Sequence, residues 1–349
     1  MLLSLSFITL GLSISTCFGK SAPAPNNVRA LFSVPAGTTL TYPPTDVPGP
    51  QPRQAWIDAY QRAKKAGLIP SMPQSQNVDG AAVYPASYHG EICNPGYNSC
   101  NSSADAISAP AGVAGISFDD GPQPPSQALL EFLQSQSQKA THFLIGSRII
   151  NNPDIFRALD QAGQHLAVHT FSHPLMTSLS DIQIVGELGW TMQLIHDWSS
   201  NKVVCAHWRP PYGDTDQRVQ AIAKHVFGLK SILWLYDPKD WCLAESTPNA
   251  SACSPGDGPQ SLSELKRTLK AFINSAKDKG LIILEHEQST RAVSAFKYIF
   301  PLMKKLRIQI FQDLPRRWLI CRHHISIICY GQQPFPTRKG LPRALLILI

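Results

Sequence analysis

From residue 113 onward the chain alternates short apolar runs with segments of helical spacing, and this alternation limits the folds open to it. "GVAGISF" precedes "SQALLEFLQSQ", "THFLIG" precedes "PDIFRALDQAG", and "HLAVH" precedes "SDIQIVGELGWTMQLIHDW". The pattern continues through "VQAIAKHVFG", "SILWLY", "SLSELKRTLKAFINSAKDKG", "LIILEH", "SAFKYIFPLMKKL" and "RIQIF". A run that is apolar at every position is a strand without a solvent face, and helices must cover it on both sides. Repeated strand–helix units of this kind build a parallel sheet under helices. Their number points to an α/β fold, a (β/α) barrel of about seven parallel strands. Ser180 with Gln183 and Ser261 with Glu264 have the spacing of capping boxes at helix starts.

In such barrels chemistry collects at the C-terminal ends of the strands. Polar clusters fall at five of those ends: "FDDG", "HTFSH", "RPPYG", "DPKDW" and "EHE". Asp119 and Asp120 put two like charges side by side at the edge of a core, which costs free energy unless a partner compensates. A divalent cation is one such partner. His169 and His173 are four apart and can face one point; with Asp120 they form a two-histidine, one-carboxylate set. Three protein ligands leave a position for water, as a hydrolytic site requires. Asp119 is then placed to take a proton and His286 to deliver one. Asp240 can hold His286, Arg209 can pair with Asp119, and the Tyr212 backbone N–H can stabilise an oxyanion. Trp241 and Leu284 can form an apolar wall. Taken singly, each has an ordinary structural explanation: a solvated turn, loop histidines, a salt bridge, core packing.

Outside the alternating region the chain reads differently. Residues 1–19 contain an apolar stretch of about a dozen residues followed by small residues, the pattern of a signal peptide rather than a membrane span. Residues 20–105 read as an N-terminal extension or linker with one helix, at "QAWIDAYQRAKKAG". Secretion makes the eight cysteines disulfide candidates. Cys93 with Cys100 and Cys242 with Cys253 bracket short polar loops and are the favoured pairs. Asn101 and Asn249 open glycosylation sequons in polar loops. The formal charge is +7, but residues 315–349 carry six Lys and Arg and no acid; without them 25 basic residues face 24 acidic ones. The basicity belongs to this tail, so the body is not read as a nucleic-acid binder.

In this order, "SFDDGP", "HTFSHP", "RPPYG", "DPKDW" and "LEHE" resemble the five motifs of the polysaccharide deacetylase family, carbohydrate esterase family 4. The pattern most resembles that of secreted fungal chitin deacetylases, over about residues 106–314. The resemblance implies a distorted (β/α) barrel as catalytic domain and one divalent metal, zinc or alternatively cobalt, on Asp120, His169 and His173. It implies Asp119 as base, Arg209 orienting it, Tyr212 contributing its N–H, Asp240 tuning His286, and Trp241 and Leu284 shaping the acetyl pocket. Ser117 stands where a threonine is common, no Gly-Trp step follows "LEHE", and residues 315–349 match nothing expected.

The expected function is hydrolysis of N-acetyl groups of chitin or chito-oligosaccharides to chitosan and acetate. The expected protein is a secreted monomer, extracellular or in the cell wall, with neither a transmembrane helix nor a nucleic-acid partner. Two alternatives remain: an O-acetyl xylan esterase using the same site, and a non-catalytic wall-binding protein whose altered C-terminus spoils the barrel.

Overall fold

The computed structural model describes residues 26–311, apart from residues 36, 104, 248, 276–278 and 307–308. The expected signal peptide with Cys17, and the basic tail with Cys321 and Cys329, lie outside the described residues. In chain order the elements begin with α1 (Asn26–Ala30), α2 (Gln54–Lys65), an antiparallel hairpin of β1 (Gln76–Val78) and β2 (Ala81–Val83), and α3 (Pro95–Asn98). Then come β3 (Val113–Gly115), β4 (Ser117–Gly121), α4 (Pro124–Ser135), β5 (Thr141–Leu144), α5 (Gly146–Asn151), α6 (Pro153–Gln161), β6 (His165–Val168) and α7 (Asp181–Trp198). The chain continues with β7 (His207–Trp208), α8 (Gln217–Phe227), β8 (Lys230–Ser231), α9 (Leu262–Asn274), β9 (Leu281–Ile282), α10 (Thr290–Lys305) and β10 (Gln309–Phe311).

The strands from β3 onward all pair in parallel, in the orders β4-β5-β6-β7-β8 and β10-β3-β9. With β3 and β4 taken as two halves of one strand line, this makes the seven parallel strands of an α/β fold. Isolated bridges join the two sheets. Leu235 N donates to Ile282 O and Leu284 N to Tyr236 O, both at 2.9 Å, tying the strand line after β8 to the one after β9. Asp119 N donates to Glu285 O at 2.9 Å and Glu287 N to Asp119 O at 3.1 Å, tying that line back to β4. The ring thus closes through single bridges, which is where it is distorted. β10 pairs with β3 from Gln309↔Val113 to Phe311↔Gly115, on the side away from β9, so a parallel strand forms there without a Gly-Trp step.

Two apolar cores flank the strands. One holds Ala114, Ile116, Phe118 and Ile283 against α4, α9 and α10 through Leu129, Leu269, Phe296 and Phe300. The other holds Leu144, Leu166, Val168 and Trp208 against α7 and α8, and it takes in Val28, Phe32, Trp56 and Ile69 from the N-terminal extension. Trp56 is fully buried, edge-on to Trp190 at 5.2 Å, and its Nε1 donates to Leu31 O at 3.0 Å. The described residues between 28 and 69 are therefore packed into the folded body through Val28, Phe32, Trp56 and Ile69. Two glycines of α7 make the contact possible: a Cβ at Gly186 would lie 1.8 Å from Pro50 O, and one at Gly189 would lie 2.5 Å from the Trp56 ring.

Ser180 and Gln183 form a full capping box on α7. At α9 only half of one forms: Ser261 Oγ accepts from Glu264 N, while the Glu264 carboxylate accepts from Gln260 N. Cys93–Cys100 and Cys242–Cys253 are disulfides, and Cys205 is the buried free cysteine among the described residues. No described helix is long and apolar enough to cross a membrane.

Candidate active site

Each of the five sequence clusters lies at or just beyond the end of a parallel strand line, and residues from all five line one cleft of about 520 Å³. Asp119 and Asp120 end β4, and their neighbours separate them. Asp119 Oδ1 accepts from Arg209 Nη1 at 2.6 Å. Arg209 is fully buried and nearly saturated: Nε donates to Ile232 O at 3.0 Å, and Nη2 to Ser117 Oγ at 3.0 Å and Leu233 O at 3.3 Å. Its guanidinium carbon lies 4.2 Å from the centre of the Phe143 ring. The hydroxyl at position 117 thus orients the arginine, and a serine supplies it as a threonine would. Burial lowers the Arg209 pKa, opposed by Asp119, and so large a desolvation is tolerable only with these partners.

Asp120 turns the other way, at φ 68°. Its Oδ1 is 3.4 Å from His169 Nε2 and 3.2 Å from His173 Nε2. Burial alone would raise the Asp120 pKa; the imidazoles of His173 and His169 outweigh it and hold the carboxyl well below the usual range. His169 Nδ1 lies 2.7 Å from Arg209 O. A carbonyl only accepts, so Nδ1 carries the hydrogen and Nε2 keeps its lone pair toward Asp120.

The three donor atoms lie within 4.8 Å of one another, and Asp120 Oδ1 is a buried oxygen with no hydrogen-bond partner. Two imidazole nitrogens converging on an unsatisfied carboxylate oxygen is a donor set that fits a divalent cation such as zinc. Among the described residues it is the one such cluster.

On the strand line bridged to Asp119, His286 Nδ1 meets Asp240 Oδ1 at 2.6 Å, and His286 N donates to Asp240 Oδ2 at 2.8 Å. Burial opposes charge on this imidazole, but Asp240, with Asp120 and Asp119 behind it, overrides burial and pushes the pKa up to about 10. Asp240 opens a short 3₁₀ turn that also carries Cys242, so the second disulfide anchors it. Leu284 is buried in the wall, Trp241 is 39% exposed at the rim, and Tyr212, 61% exposed, sets its ring edge-on to His173 at 4.7 Å. Asn101 and Asn249 are both exposed.

The cleft also uses residues that no motif marked, Gln123, Arg148, Trp234 and Gln288, and it takes in Asp237, the first residue of "DPKDW". Beneath it, Glu187 of α7 is fully buried and accepts from Phe171 N (2.7 Å), Ser172 N (2.9 Å), Ser172 Oγ (2.7 Å) and Gly49 N (2.7 Å). It clamps the loop between His169 and His173 and ties the extension to it. A carboxylate between two glycines in "VGELGW", within the run of α7 buried from Ile184 to Ile195, was the available signal. The Glu287 carboxylate receives His142 Nδ1 at 3.0 Å on both oxygens, and it fills the space where a Cβ on Gly121 would stand.

A family model for polysaccharide deacetylase matches residues 106–229. Chitin deacetylase 3 of Cryptococcus neoformans var. neoformans serotype D is 36% identical over 299 residues, which cover 82% of this chain and 66% of that protein. The chain belongs to the polysaccharide deacetylase family. Chitin deacetylase 1 of Saccharomyces cerevisiae is 35% identical over 176 residues, 50% of this chain and 52% of that protein. The chain thus spans just under two thirds of the first relative and about half of the second. Among solved structures, a CE4 family pseudoenzyme from Bacillus anthracis shares the fold at a TM-score of 0.50 and 22% identity, over 60% of this chain and 67% of that one.

Proposed function

We propose that this chain is a secreted, metal-dependent deacetylase of chitin or chito-oligosaccharides, with its catalytic domain over residues 106–314. The observation that carries the reading is what one cleft gathers: an arginine-held carboxylate, Asp119, a carboxylate-held imidazole, His286, and the donor set of Asp120, His169 and His173. The names of the curated relatives supply the substrate class.

A divalent ion held by Asp120, His169 and His173 would supply Lewis acidity and a water of lowered pKa. The chain's own residues do the rest. Asp119 takes the proton of the attacking water on Oδ2, since Oδ1 is committed to Arg209. The Tyr212 backbone N–H donates to the oxygen of the acetamide carbonyl as charge develops there. His286 carries its transferable proton on Nε2, because Asp240 holds Nδ1; it delivers that proton to the departing amine nitrogen. Leu284 and Trp241 enclose the acetyl methyl group and exclude water from it. The products are acetate and a glucosamine unit.

The test is acetate release from N-acetylglucosamine oligomers by the full-length protein, lost on chelation and restored by zinc. Asp119→Asn should lower kcat by about 100-fold or more while the oligomer still binds. Full activity in that variant would remove Asp119 from the base role. Release from acetylxylan without release from chitin oligomers would move the reading to an esterase.

A further inference from the structure

The segment that begins at Asp240 is held twice, and the disulfide is only the first hold. Cys242 and Cys253 close it, and Ala252 N donates to Cys242 O at 2.7 Å across the base. Between Leu243 and Leu262 no described residue belongs to a helix or strand, so the carbonyls of this segment need partners from elsewhere. The start of α10 supplies them. Arg291 is half-buried: its Nη1 donates to Ala250 O at 2.8 Å, and its Nη2 to Ala244 O at 2.9 Å and to Thr247 O. A planar guanidinium with several fixed N–H directions can hold three carbonyls at once, which a lysine ammonium does less well. One residue earlier, Thr290 N donates to the carboxylate of Glu245, an acid set at the N-terminus of the helix. The same stretch of chain, just before α10, carries His286, which Asp240 meets at Nδ1 (2.6 Å) and at N (2.8 Å). Both halves of the Asp240–His286 pair are therefore fastened to one frame, the first turn of α10.

We propose that Arg291 is a positioning residue for the general acid: by holding the carbonyls of Ala244, Thr247 and Ala250 against α10, it keeps Asp240 aligned on His286. The proposal rests on the reading of His286 as the group that gives its Nε2 proton to the amine nitrogen as the C–N bond breaks. Neither Arg291 nor Glu245 lines the cleft, so their effect passes through Asp240 and not through contact with substrate. The donor set of Asp120, His169 and His173 stands on other strand lines, at the end of β4 and after β6, and is not fastened to this segment. A loosened segment should therefore weaken proton delivery and leave metal binding alone.

Two acetyl donors separate positioning from scaffolding. An amine departs only when protonated, whereas the aryloxide of para-nitrophenyl acetate departs without a proton. In the zinc-loaded full-length protein, Arg291→Ala should lower kcat for acetate release from N-acetylglucosamine oligomers about tenfold, part of the roughly 100- to 10,000-fold that a positioned general acid contributes. Chelator-sensitive hydrolysis of the aryl ester should stay within about twofold of wild type. Trp241, on the same turn, serves both donors, so a mere shift of the acetyl pocket moves both rates together. Zinc affinity by chelator competition should not change. Equal loss on both donors, a loss of zinc affinity, or an unchanged amide rate overturns the proposal. Glu245→Ala loosens the same segment from an exposed position and carries the same comparison where Arg291→Ala does not fold. Urea midpoints give a readout without turnover. Arg291→Ala and Asp240→Asn act on one segment, so their combined loss should be smaller than the sum, and full additivity overturns the positioning role. Acetate release by the wild type is measured alongside. Ester hydrolysis with no release from the oligomers refutes the deacetylase reading, and the midpoints then still decide whether Arg291 holds Asp240.

Discussion

Removing the Glu187 carboxylate should damage the site without touching any residue that lines it. Glu187 accepts four hydrogen bonds, three from the His169–His173 loop and one from Gly49 of the extension. Phe171 is buried and Ser172 and Gly49 are half-buried, so Glu187→Leu strands several donors away from water. Each buried donor left unmade costs about 1–3 kcal/mol, which sets a ceiling well above 4 kcal/mol. Part is recovered, because burial already raises the Glu187 pKa and the ionised form is held at a cost. We expect a net loss of about 3 kcal/mol, a large share of a typical folding free energy. Glu187→Gln keeps one acceptor oxygen but turns an NH2 toward N–H donors, and should lose about half as much. The urea midpoint measures both. Zinc affinity by chelator competition should fall about tenfold or more, because Thr170 and His173 are held at φ 66° and 63° by this clamp and relax without it. A cost below about 1 kcal/mol in Glu187→Leu, or unchanged zinc affinity in a variant that has lost stability, would refute the reasoning.

Asp240→Asn should reveal the His286 linkage. The folded pKa of His286, about 10, lies above its ordinary 6.5, so this stabilisation is full below pH 6.5 and is lost as pH rises through 10. The wild-type advantage over Asp240→Asn in urea should therefore be largest at pH 6 and shrink toward pH 10; a gap independent of pH would contradict it. Gly186→Ala forces a methyl toward Pro50 O, and should cost about 1–3 kcal/mol while exposing the extension to limited proteolysis. Unchanged stability and proteolysis would mean that the extension is not packed there.

Periodicity made the parallel strands and covering helices legible, because an all-apolar run followed by helical spacing has few other uses. It did not reveal that the strand line through "SILWLY" would be regular only at Lys230–Ser231, with isolated bridges beyond it from Ile232 to Ala106 and from Tyr236 to Ile283. Such bridges depend on where partner strands twist, which no local pattern records. The extension read as a possible linker because prolines hide its contacts; what docks it is a pair of glycines on α7, far along the chain. The clusters that line the cleft were legible because acids, histidines and turn residues at strand ends are chemically unusual. The residues beneath were not. Glu187 and Asp214 are ordinary letters whose partners lie 15 and 37 residues away, and although Glu287 closes "LEHE", its partner His142 lies 145 residues away; only the fold brings these pairs together.

The hidden residues account for a site that would otherwise be unstable. Asp120, Thr170, His173 and Tyr212 all sit at positive φ between 58° and 68°, where non-glycine residues are strained, and all belong to the cleft or its loops. Loops in that state relax unless their surroundings over-determine them. Here a buried polar group lies beneath each: Arg209 and Glu287 under the Asp119–Gly121 turn, Glu187 under the histidine loop, and Asp214 after Tyr212, bonded to Thr177 and Asn94. The adjacent Asp119 and Asp120 fit the same account. At φ 68° Asp120 diverges from its neighbour, so one carboxylate faces an arginine and the other two imidazoles. Their mutual repulsion is thus offset twice, by charge on one side and by a donor set shaped for a cation on the other. Neutralising Arg209 should therefore disturb Asp120 as well as Asp119, a coupling that a double-mutant cycle between positions 209 and 120 would read directly.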